Sequence, residues 1–389
     1  MPDLLEKQQG KSEIIQSGAP KYVALAALLR ERILRQELAV GDRLPSFAQL
    51  RAEFGATPTT AERIYGLLEQ EGFAERRQGK GTFVANPARK RTGTFGFIGG
   101  TLFNQRKNPF NAHLMEGVQQ AIEAQQHHLL YMGTDYSLNL NACEKVDGVL
   151  LCSIEDTDSV VRELPPHLPR VSLLNIGRDM PSVVTDDYEG AKIAVRHLLE
   201  LGHCRIACLT EKLPSLARRR FAGYCDALMD ANIEVDPRWA RLAGTVPKAL
   251  GTGHPYLEWA RIQMSDWLRE DWKQLNCTAI LVQNEFAAIG VMQILQEAGI
   301  RIPGEVSVIC FDGTEVCDVV VPRLTAVKLP LEEIGFKAAE TLERQIQGEQ
   351  LQSQIVVLPM SLRAGDSVAA PPYVVERRTG KQLNVDVDG

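Results

Sequence analysis

The 389-residue sequence predicts a two-lobed α/β domain, built of parallel sheets covered by helices and preceded by a small helical domain that ends in a β-hairpin. From about residue 93 onward, short apolar segments alternate with amphipathic helical stretches, which is typical of parallel sheets covered on both faces. Charge also divides the chain: residues 21–91 carry thirteen Lys/Arg and eight Asp/Glu, a net +5, so the remainder carries −11 of the overall −6. The basic part can meet a polyanion that the acidic part would repel.

Three helical segments are predicted in the small domain. The first, KYVALAALLRERILRQ, has apolar residues on one face: Leu25, Leu28, Leu29 and Ile33. Ser46, followed three residues later by glutamine, has the capping-box pattern of a second helix that ends at Gly55. Thr57 suits the N-cap of a third helix, Pro58 its first turn, and Gly72 its end. Two helices joined by a turn of about three residues predict a helix-turn-helix.

The segment RRQGKGTFV follows, and it predicts a hairpin with strands near Phe73–Arg76 and Thr82–Val84. A phosphate-binding P-loop is excluded, because Ala74 stands where the first glycine is needed and Gly81 where Ser/Thr would bind magnesium. An ordinary surface turn remains an alternative. A DNA-contacting wing is favoured by three cations directly after the helix-turn-helix: Arg76, Arg77 and Lys80.

This region resembles the winged helix-turn-helix of the GntR regulator family. The matching features are Leu44-Pro45-Ser46, Leu50, Phe54-Gly55, Thr59-Thr60, Leu67-Leu68, Glu71-Gly72 and Gly79 to Val84. The resemblance implies that the second helix of the motif enters the major groove and that the wing lies along the backbone or minor groove. The implied DNA contacts are Thr57, Thr59, Thr60 and Arg63 on the helix and Arg76, Arg77 and Lys80 on the wing. Arg63 could instead be a solvated helix arginine.

Two positions depart from the GntR pattern. Ala48 stands where the family usually has a basic residue, and Pro58 where it has an arginine. Both family residues are typical DNA contacts, so we expect a different operator sequence. The cations of the wing are then expected to carry a larger share of the phosphate contacts.

The rest of the chain offers no catalytic or dinucleotide motif. FGFIGG contains Gly96, Gly99 and Gly100 but not the spacing Gly-x-Gly-x-x-Gly. There is no Gly-x-Ser-x-Gly and no His-Glu-x-x-His, and the seven histidines have no metal-ligand spacing. The sequence therefore predicts neither an enzyme, nor a cofactor, nor a metal site.

The large domain resembles the effector domain of the lactose/galactose repressor (LacI/GalR) family, which is similar to periplasmic sugar-binding proteins. The resemblance spans about residues 93–367 and includes NPFNAHLMEGV, VDGVLL, VVTDDYEGAKIAVRHLLELGHCRIA, RFAGYCDAL and TAILVQNEFAAIGVMQILQEAGIRIPGEVSVICFDG. Joined to a GntR-type reader, this domain resembles arabinose-repressor-type regulators. The resemblance implies a ligand between the lobes, bound by Arg220, Asn284, Glu285 and Asp312. Glu285 stands where the family usually has aspartate, and Asp186 and Asp187 are expected to be structural.

The domain boundaries follow: a polar leader at 1–19, the winged domain at 20–86, a linker at 87–92, the effector and dimerisation domain at 93–367, and a tail at 368–389.

One departure from the LacI/GalR pattern affects the first lobe. Only LNLNACEK separates YMGTDYS from VDGVLLC, where the family has a full helix and loop, so we expect this lobe to lack most of one helix.

The predicted protein is a cytoplasmic transcription regulator, and by resemblance a repressor. It would bind double-stranded operator DNA as a homodimer and respond to a small sugar-like ligand. The eight cysteines lack zinc-ligand spacing and are expected to be reduced thiols, and no apolar run is long enough to span a membrane. A cytosolic sugar-binding protein, a regulator without ligand response and a sugar-processing enzyme remain as alternatives.

Overall fold

The structure is a computed structural model that describes residues 20–35, 37–39, 41–77, 81–84, 91–99, 108–134, 140–154, 159–165, 168–212, 215–244, 246, 254–349, 351 and 354–372. The chain divides into two compact units, with the main division between Thr94 and Phe95. The predicted effector domain begins at residue 93, beside this division. Within the described ranges, no helix is long and apolar enough to cross a membrane.

The first unit is the predicted helix-turn-helix followed by a hairpin. Its elements are α1 Lys21–Leu34, α2 Phe47–Phe54, α3 Pro58–Gln70, β1 Ala74–Arg77 and β2 Gly81–Val84. The capping box at Ser46 is confirmed, with its oxygen accepting from the amide of Gln49, and Gly55 ends α2 in the left-handed conformation. The hairpin strands are antiparallel, with Ala74 opposite Val84. Both of these residues are buried with the helices in a small core that includes Leu29, Leu50, Ile64 and Leu68.

The second unit contains two six-stranded sheets. In the first lobe the strand order is β13-β7-β6-β5-β3-β4. Its elements are β3 Thr94–Gly99, α4 Pro109–Glu123, β4 His128–Thr134, β5 Gly148–Cys152, α5 Ser159–Glu163, β6 Arg170–Leu173 and β7 Ser182–Thr185. Among the described residues between β4 and β5, a six-residue 3-10 helix, Leu140–Lys145, lies where the resemblance implies a full helix and loop.

In the second lobe the strand order is β14-β12-β11-β10-β8-β9, parallel except for β14. Its elements are α6 Asp187–Glu200, β8 Ile206–Glu211, α7 Ser215–Asp230, the 3-10 helix Pro237–Trp239, β9 Ala240–Ala243, α8 Pro255–Glu270, α9 Trp272–Leu275, β10 Ala279–Val282, α10 Glu285–Glu297, β11 Ser307–Asp312, α11 Val316–Val319 and β12 Thr325–Lys328. The chain then forms α12 Leu331–Ile346 and β13 Ile355–Leu358 in the first lobe and returns as β14 Ser361–Arg363.

The chain therefore crosses between the lobes three times, after β7, after β12 and after β13. Helices α4 and α12 pack closely across the first lobe. A Cβ on Gly117 would overlap the carbonyl oxygen of Glu332, and a Cβ on Gly335 that of Leu114. Glycine at these positions allows the two helix backbones to touch.

The ordered chain extends beyond the predicted effector boundary at 367. Ala369 donates its amide to Ser307 Oγ at 3.1 Å, and its carbonyl oxygen lies 2.8 Å from His203 Nε2. Ala369, which the predicted boundaries assign to the tail, is thus bonded to the second lobe through its backbone.

Candidate functional site

The exposed start of α3 carries the residues expected to meet DNA bases. Thr57 caps the helix, and its hydroxyl lies 2.8 Å from that of Thr60. Thr59 and Arg63 are exposed, and the Arg63 guanidinium lies 5.6 Å from the ring centroid of Tyr22. The structure therefore brings the four predicted helix residues onto the first two turns of one helix, with Thr57 and Thr60 already bonded to each other.

The three predicted wing residues of the hairpin differ in their surroundings and in how much of each the structure describes. Arg76 pairs with two glutamates of α3, Glu62 and Glu69, each at 2.9 Å. These carboxylates raise the pKa of Arg76 and offset its charge in the free protein. For Arg77 the structure describes the backbone in β1, and Lys80 lies outside the described residues.

Arg43 is a further cation beside the wing that sequence reasoning missed. It is exposed and forms an antiparallel bridge with Phe83 of β2. A Cβ on Gly81 would lie 2.9 Å from Arg43 Nε, so this side chain extends along β2 toward the loop end of the hairpin. The sequence shows Arg43 as a cation in the GDRLPS segment. Its pairing with the wing depends on tertiary structure, which the sequence does not show.

In the large unit, Arg220 is the centre of a buried polar cluster. Only 5% of it is exposed. Its Nε donates to Asp187 Oδ1 at 2.9 Å, its Nη1 donates to the carbonyl oxygen of Gln283 at 2.6 Å, and its guanidinium stacks 3.9 Å from the Phe311 ring centroid. Asp187, an expected structural residue, balances the arginine charge within the protein. Asp186, of which the same is expected, caps α6 by accepting from the amide of Glu189.

The packing of α7 against α6 places the Arg220 side chain in this cluster. Arg220 lies on α7, and Gly223 of the same helix faces the backbone of α6 so closely that a Cβ would overlap the carbonyl oxygen of Tyr188. Tyr188 directly follows Asp187. The close approach therefore brings the guanidinium to the carboxylate at the start of α6.

Asp312 ends β11 in a left-handed backbone conformation, φ 84°, which is rare for a residue other than glycine. Burial and the neighbouring carboxyl group of Glu285 raise the pKa of Asp312 to about 8, and Arg220 opposes this shift. A strained backbone and a perturbed carboxyl group at the carboxyl end of a parallel strand are typical of ligand sites.

Glu285 is buried beneath this loop. Its two oxygens accept from Thr314, from the amide at 2.9 Å and from the hydroxyl at 2.6 Å. Burial raises the pKa of Glu285 despite these bonds. The carboxylate is therefore engaged with the loop that follows Asp312. Asn284, also expected to touch ligand, caps α10 by accepting from the amide of Ala287 at 2.8 Å.

A second polar network extends from Gln283, and sequence reasoning missed it. Glu211 at the end of β8 accepts from the amide of Val246 at 3.0 Å and from the hydroxyl of Tyr256 at 3.3 Å. Its own amide donates to Gln283 Oε1 at 2.8 Å. His254 stacks on Phe286 with ring centroids 3.7 Å apart. The sequence signal for Gln283 was its position beside Asn284, at the end of a predicted strand.

His113 links the lobes. It lies on α4, and its two ring nitrogens lie 2.6 Å from Glu315 Oε2 of the second lobe and 2.7 Å from Glu332 Oε1 of α12. The hydrogen bond to Glu315 chiefly raises the pKa of His113. Among the described residues, His113, Glu116 and Glu332 also bring their potential ligand atoms within 4.8 Å of one another.

Two cavities adjoin the site. One of about 240 Å³ lies between the lobes and is lined by residues that include His113, Asp312, Glu315, Lys328 and Arg363. Arg220 lines a separate one of about 10 Å³, together with Cys208, Thr210, Phe221, Leu281, Gln283 and Phe311. Asp312 thus lines the larger cavity between the lobes, and its neighbour Phe311 lines the smaller one beside Arg220. Three segments of the first lobe, 100–107, 135–139 and 155–158, lie outside the described residues.

Family models match most of the chain. The model for bacterial regulatory proteins of the gntR family matches residues 21–84. The model for periplasmic binding proteins and the sugar-binding domain of the LacI family matches residues 98–249, and that for a periplasmic binding protein-like domain matches residues 195–368.

Individual relatives agree with these matches. The chain is 27% identical over 269 residues to the HTH-type transcriptional repressor PurR of Aliivibrio salmonicida (strain LFI1238), covering 66% of this chain and 77% of the relative. A LacI family transcriptional regulator from Mycobacterium smegmatis is 26% identical with a TM-score of 0.59, covering 71% and 99%. The transcriptional regulator CelR in complex with cellobiose has a TM-score of 0.63 at 22% identity, covering 82% and 93%. These relatives and fold neighbours are transcription regulators, not enzymes.

Proposed function

Because the chain is a transcription regulator that joins a GntR-type DNA-binding domain to a LacI-type periplasmic-binding-protein-like domain, we propose that a small sugar-like ligand bound between its lobes controls its affinity for operator DNA. The observation that carries the proposal is the Arg220 cluster. The buried guanidinium of Arg220 lies beside Asp312 at the carboxyl ends of parallel strands, where ligands bind in such folds. The same chain carries a winged DNA-binding domain, so ligand and DNA would bind one molecule.

In the DNA-binding domain, α3 enters the major groove and the hairpin contacts the sugar–phosphate backbone. Thr57, Thr59, Thr60 and Arg63 face the bases. Arg77 and Lys80 contact phosphates, and Arg43 joins them from beside β2, where its guanidinium lies next to Gly81. Arg76 contributes less, since Glu62 and Glu69 already hold its guanidinium in the free protein.

In the effector domain, Arg220 and Asp312 contact the ligand directly. Arg220 donates from Nε and once from Nη1 within the protein, which leaves the two hydrogens of Nη2 and the second hydrogen of Nη1 as donors to the ligand. Asn284 contributes its amide nitrogen, because its oxygen caps α10. Glu285 acts one step away: it fixes Thr314 and so the backbone turn that presents Asp312.

We further propose a cytoplasmic homodimeric repressor without a bound cofactor. Two copies would place two winged readers on the two halves of a pseudo-palindromic operator. Ligand would change the spacing of the readers by binding one arrangement of the lobes better than the other.

Selection of duplexes from a random DNA pool by the purified chain tests the DNA part. We expect enrichment of a two-fold related sequence bound as a dimer, measured by gel shift and by sedimentation. The variant Thr59→Ala/Arg63→Ala should lose the preference for that sequence but keep nonspecific binding. Recovery of no preferred sequence by the wild type would overturn the proposal.

Thermal denaturation in the presence of single sugars tests the ligand part, because a ligand that binds the folded state raises the melting temperature by mass action. The stabilising sugar should then alter operator affinity. A sugar that stabilises the chain without altering operator affinity would favour a regulator that has lost its ligand response.

A further inference from the structure

Gln283 carries a buried donor that nothing in the described part of the chain accepts. The residue is 7% exposed. Its Oε1 accepts from the amide of Glu211 at 2.8 Å and from Thr210 Oγ1 at 3.3 Å, and these two donors fix the orientation of the side-chain amide. The amide nitrogen Nε2 then remains without a partner. Buried polar groups in folded proteins are usually paired, so this nitrogen calls for an explanation.

The space beside this amide has the size of one polar atom. Gln283 and Arg220 both line the cavity of about 10 Å³, and Phe311 closes it. A volume of this order accommodates about one oxygen with its hydrogens. A ligand hydroxyl in this space would lie within reach of two donors, the Gln283 amide and the Arg220 guanidinium.

His254 shows the same property a short distance away. Both of its ring nitrogens are buried and have no partner within the described ranges. Burial lowers the pKa of His254 to about 4, so the ring is uncharged at physiological pH and offers one donor and one acceptor. Its face stacks on Phe286, which directly follows Glu285.

Tyr256 connects the two residues to the effector cluster. Its ring centroid lies 6.2 Å from that of His254, and its hydroxyl donates to Glu211, whose amide holds Gln283. The charges of Asp312 and Arg220 also act on the Tyr256 hydroxyl. His254 and Gln283 therefore belong to the same end of the second lobe as the proposed ligand contacts.

His203 of the same lobe shows what a purely structural buried histidine looks like in this chain. It is 1% exposed. Its Nδ1 lies 2.8 Å from Thr278 Oγ1, and its Nε2 lies 2.8 Å from the carbonyl oxygen of Ala369. Both nitrogens of this buried histidine are thus paired, whereas those of His254 have no partner among the residues that the structure describes.

We propose, on the basis of the function proposed above, that His254 and Gln283 are specificity-determining residues of the effector site and bind hydroxyl groups of an uncharged sugar or polyol. A hydroxyl group both donates and accepts, so it can satisfy a histidine nitrogen of either kind as well as the glutamine amide. The side chains around His254 and Gln283 disfavour a phosphorylated ligand, because four of them end in carboxyl groups, which offer a phosphate no positive charge: Asp187, Glu211, Glu285 and Asp312. Arg220 is the one guanidinium that the structure describes among them, and Asp187 already pairs with it. The cations Lys328 and Arg363 line the separate cavity between the lobes, where Asp318 pairs with Arg363.

Thermal shift and calorimetry on the full-length chain test this proposal. The probes are D-ribose, D-glucose and cellobiose as uncharged sugars and glucose 6-phosphate as the charged comparison. We expect at least one uncharged sugar to raise the melting temperature and glucose 6-phosphate to raise it less than glucose. A panel in which no uncharged sugar stabilises the chain, or in which only glucose 6-phosphate does, overturns the ligand class. The selection of operator DNA is unaffected by that outcome.

Variants test the two residues. His254→Phe keeps the stack on Phe286 and removes both nitrogens, so it should raise the melting temperature of the ligand-free chain and weaken binding of the stabilising sugar about tenfold. Gln283→Met should weaken binding by a similar factor. His254→Gln, which restores a donor and an acceptor, should recover part of the lost affinity.

His203→Phe is the matched control. It should lower the melting temperature, because it removes two hydrogen bonds, and leave the sugar affinity of the folded chain unchanged. Wild-type sugar affinity in both His254→Phe and Gln283→Met would overturn the specificity role while leaving a ligand-responsive regulator intact. A melting temperature lowered in His254→Phe as much as in His203→Phe would show that the His254 nitrogens are paired within the protein, which also contradicts the proposal.

Discussion

At the scale of single residues, burial decides which charged side chains support the structure and which are free to act. Arg220 and Asp187 are nearly fully buried and bonded to each other, whereas the neighbouring pair Arg219–Asp186 is exposed at 3.5 Å. A buried ion pair costs desolvation free energy that its own attraction must offset, and the loss of one partner leaves the other charge uncompensated. Exposed pairs contribute little.

Removal of the Arg220 charge should therefore be strongly destabilising. We expect Arg220→Met to lower the free energy of unfolding by about 3–5 kcal/mol, because the Asp187 carboxylate remains buried without its cation and keeps only the Thr185 hydroxyl, at 3.4 Å, as a donor among the described residues. Urea denaturation measures the loss. The control Arg219→Ala on the same helix should change stability little, since water already screens its pair. Equal stabilities of the two variants would contradict the buried-pair interpretation.

The contact of His113 with Glu315 should make stability depend on pH. The folded pKa of His113 is raised, so its contribution is complete below the unfolded pKa and is lost as pH rises through the folded value. The pKa of Glu315 is lowered, so its contribution is lost as pH falls through that lower value. Stability conferred by the pair is greatest between these two titrations.

His113→Gln should accordingly destabilise the protein more at about pH 6 than at about pH 8.5. Denaturation of both proteins at each pH measures the difference. His197→Gln is a suitable comparison, because His197 lies on α6, away from this pair. An effect of His113→Gln that is the same at both pH values would show that the histidine is uncharged in its contact with Glu315.

At the scale of elements, local sequence signals predicted the helices and hairpin of the DNA-binding domain well, but they predicted the polar cluster around Arg220 only in part. Ser46 and Thr57 cap helices as expected, because a cap depends on residues three positions apart. Arg220 and Asp312 could be placed through the resemblance. Their surroundings could not, since Asp187 and Gln283 meet Arg220 across 33 and 63 residues of chain. The network around Glu211 depends on the order of strands in the sheet, which periodicity does not reveal.

The packing of α4 on α12 should tolerate no side chain at its contact point. Gly117→Ala would drive a methyl group into the carbonyl oxygen of Glu332, so we expect a decrease of about 1–3 kcal/mol in the free energy of unfolding of the large domain. Gly66→Ala on α3 provides the contrast. Its Cβ would meet nothing within 4 Å, so this helix should gain up to about 1 kcal/mol. Chemical denaturation followed for each domain distinguishes the two effects.

The hairpin should contribute to DNA binding through its cations. We expect Arg77→Ala/Lys80→Ala to weaken operator binding and to reduce the slope of log affinity against log salt by about 0.9 for each phosphate that the variant no longer neutralises. Arg76→Ala should have a smaller effect, since two glutamates already bind its guanidinium. Titrations at about 50 and 200 mM salt measure the slopes. Unchanged slopes in the double variant would show that the hairpin is an ordinary surface turn.

At the scale of the whole molecule, the proposed function links the binding of operator DNA by the first domain to the binding of ligand by the second. If a sugar changes operator affinity by some factor, operator DNA must change sugar affinity by the same factor. The short crossover between β4 and β5 alters the first lobe of the domain that couples them.

Calorimetric titration of the stabilising sugar into the protein, alone and saturated with operator duplex, should therefore give two affinities that differ by the factor found in gel shifts. His203→Phe should preserve this factor, because its hydrogen bonds lie away from the cleft. A sugar affinity that does not change with DNA, beside a DNA affinity that changes with sugar, would reveal a second sugar site or an impurity.

The three crossings between the lobes also constrain how the protein can form during synthesis. Strand β13, at residues 355–358, pairs with β7, at residues 182–185, so the first-lobe sheet acquires its edge only when the ribosome has made nearly the whole chain. Such distant pairings slow folding, because a long loop must close before they form. The reader, complete by residue 84, can fold long before. A nascent chain would thus present a folded DNA-binding domain while its effector domain still lacks the strand that pairs with β7.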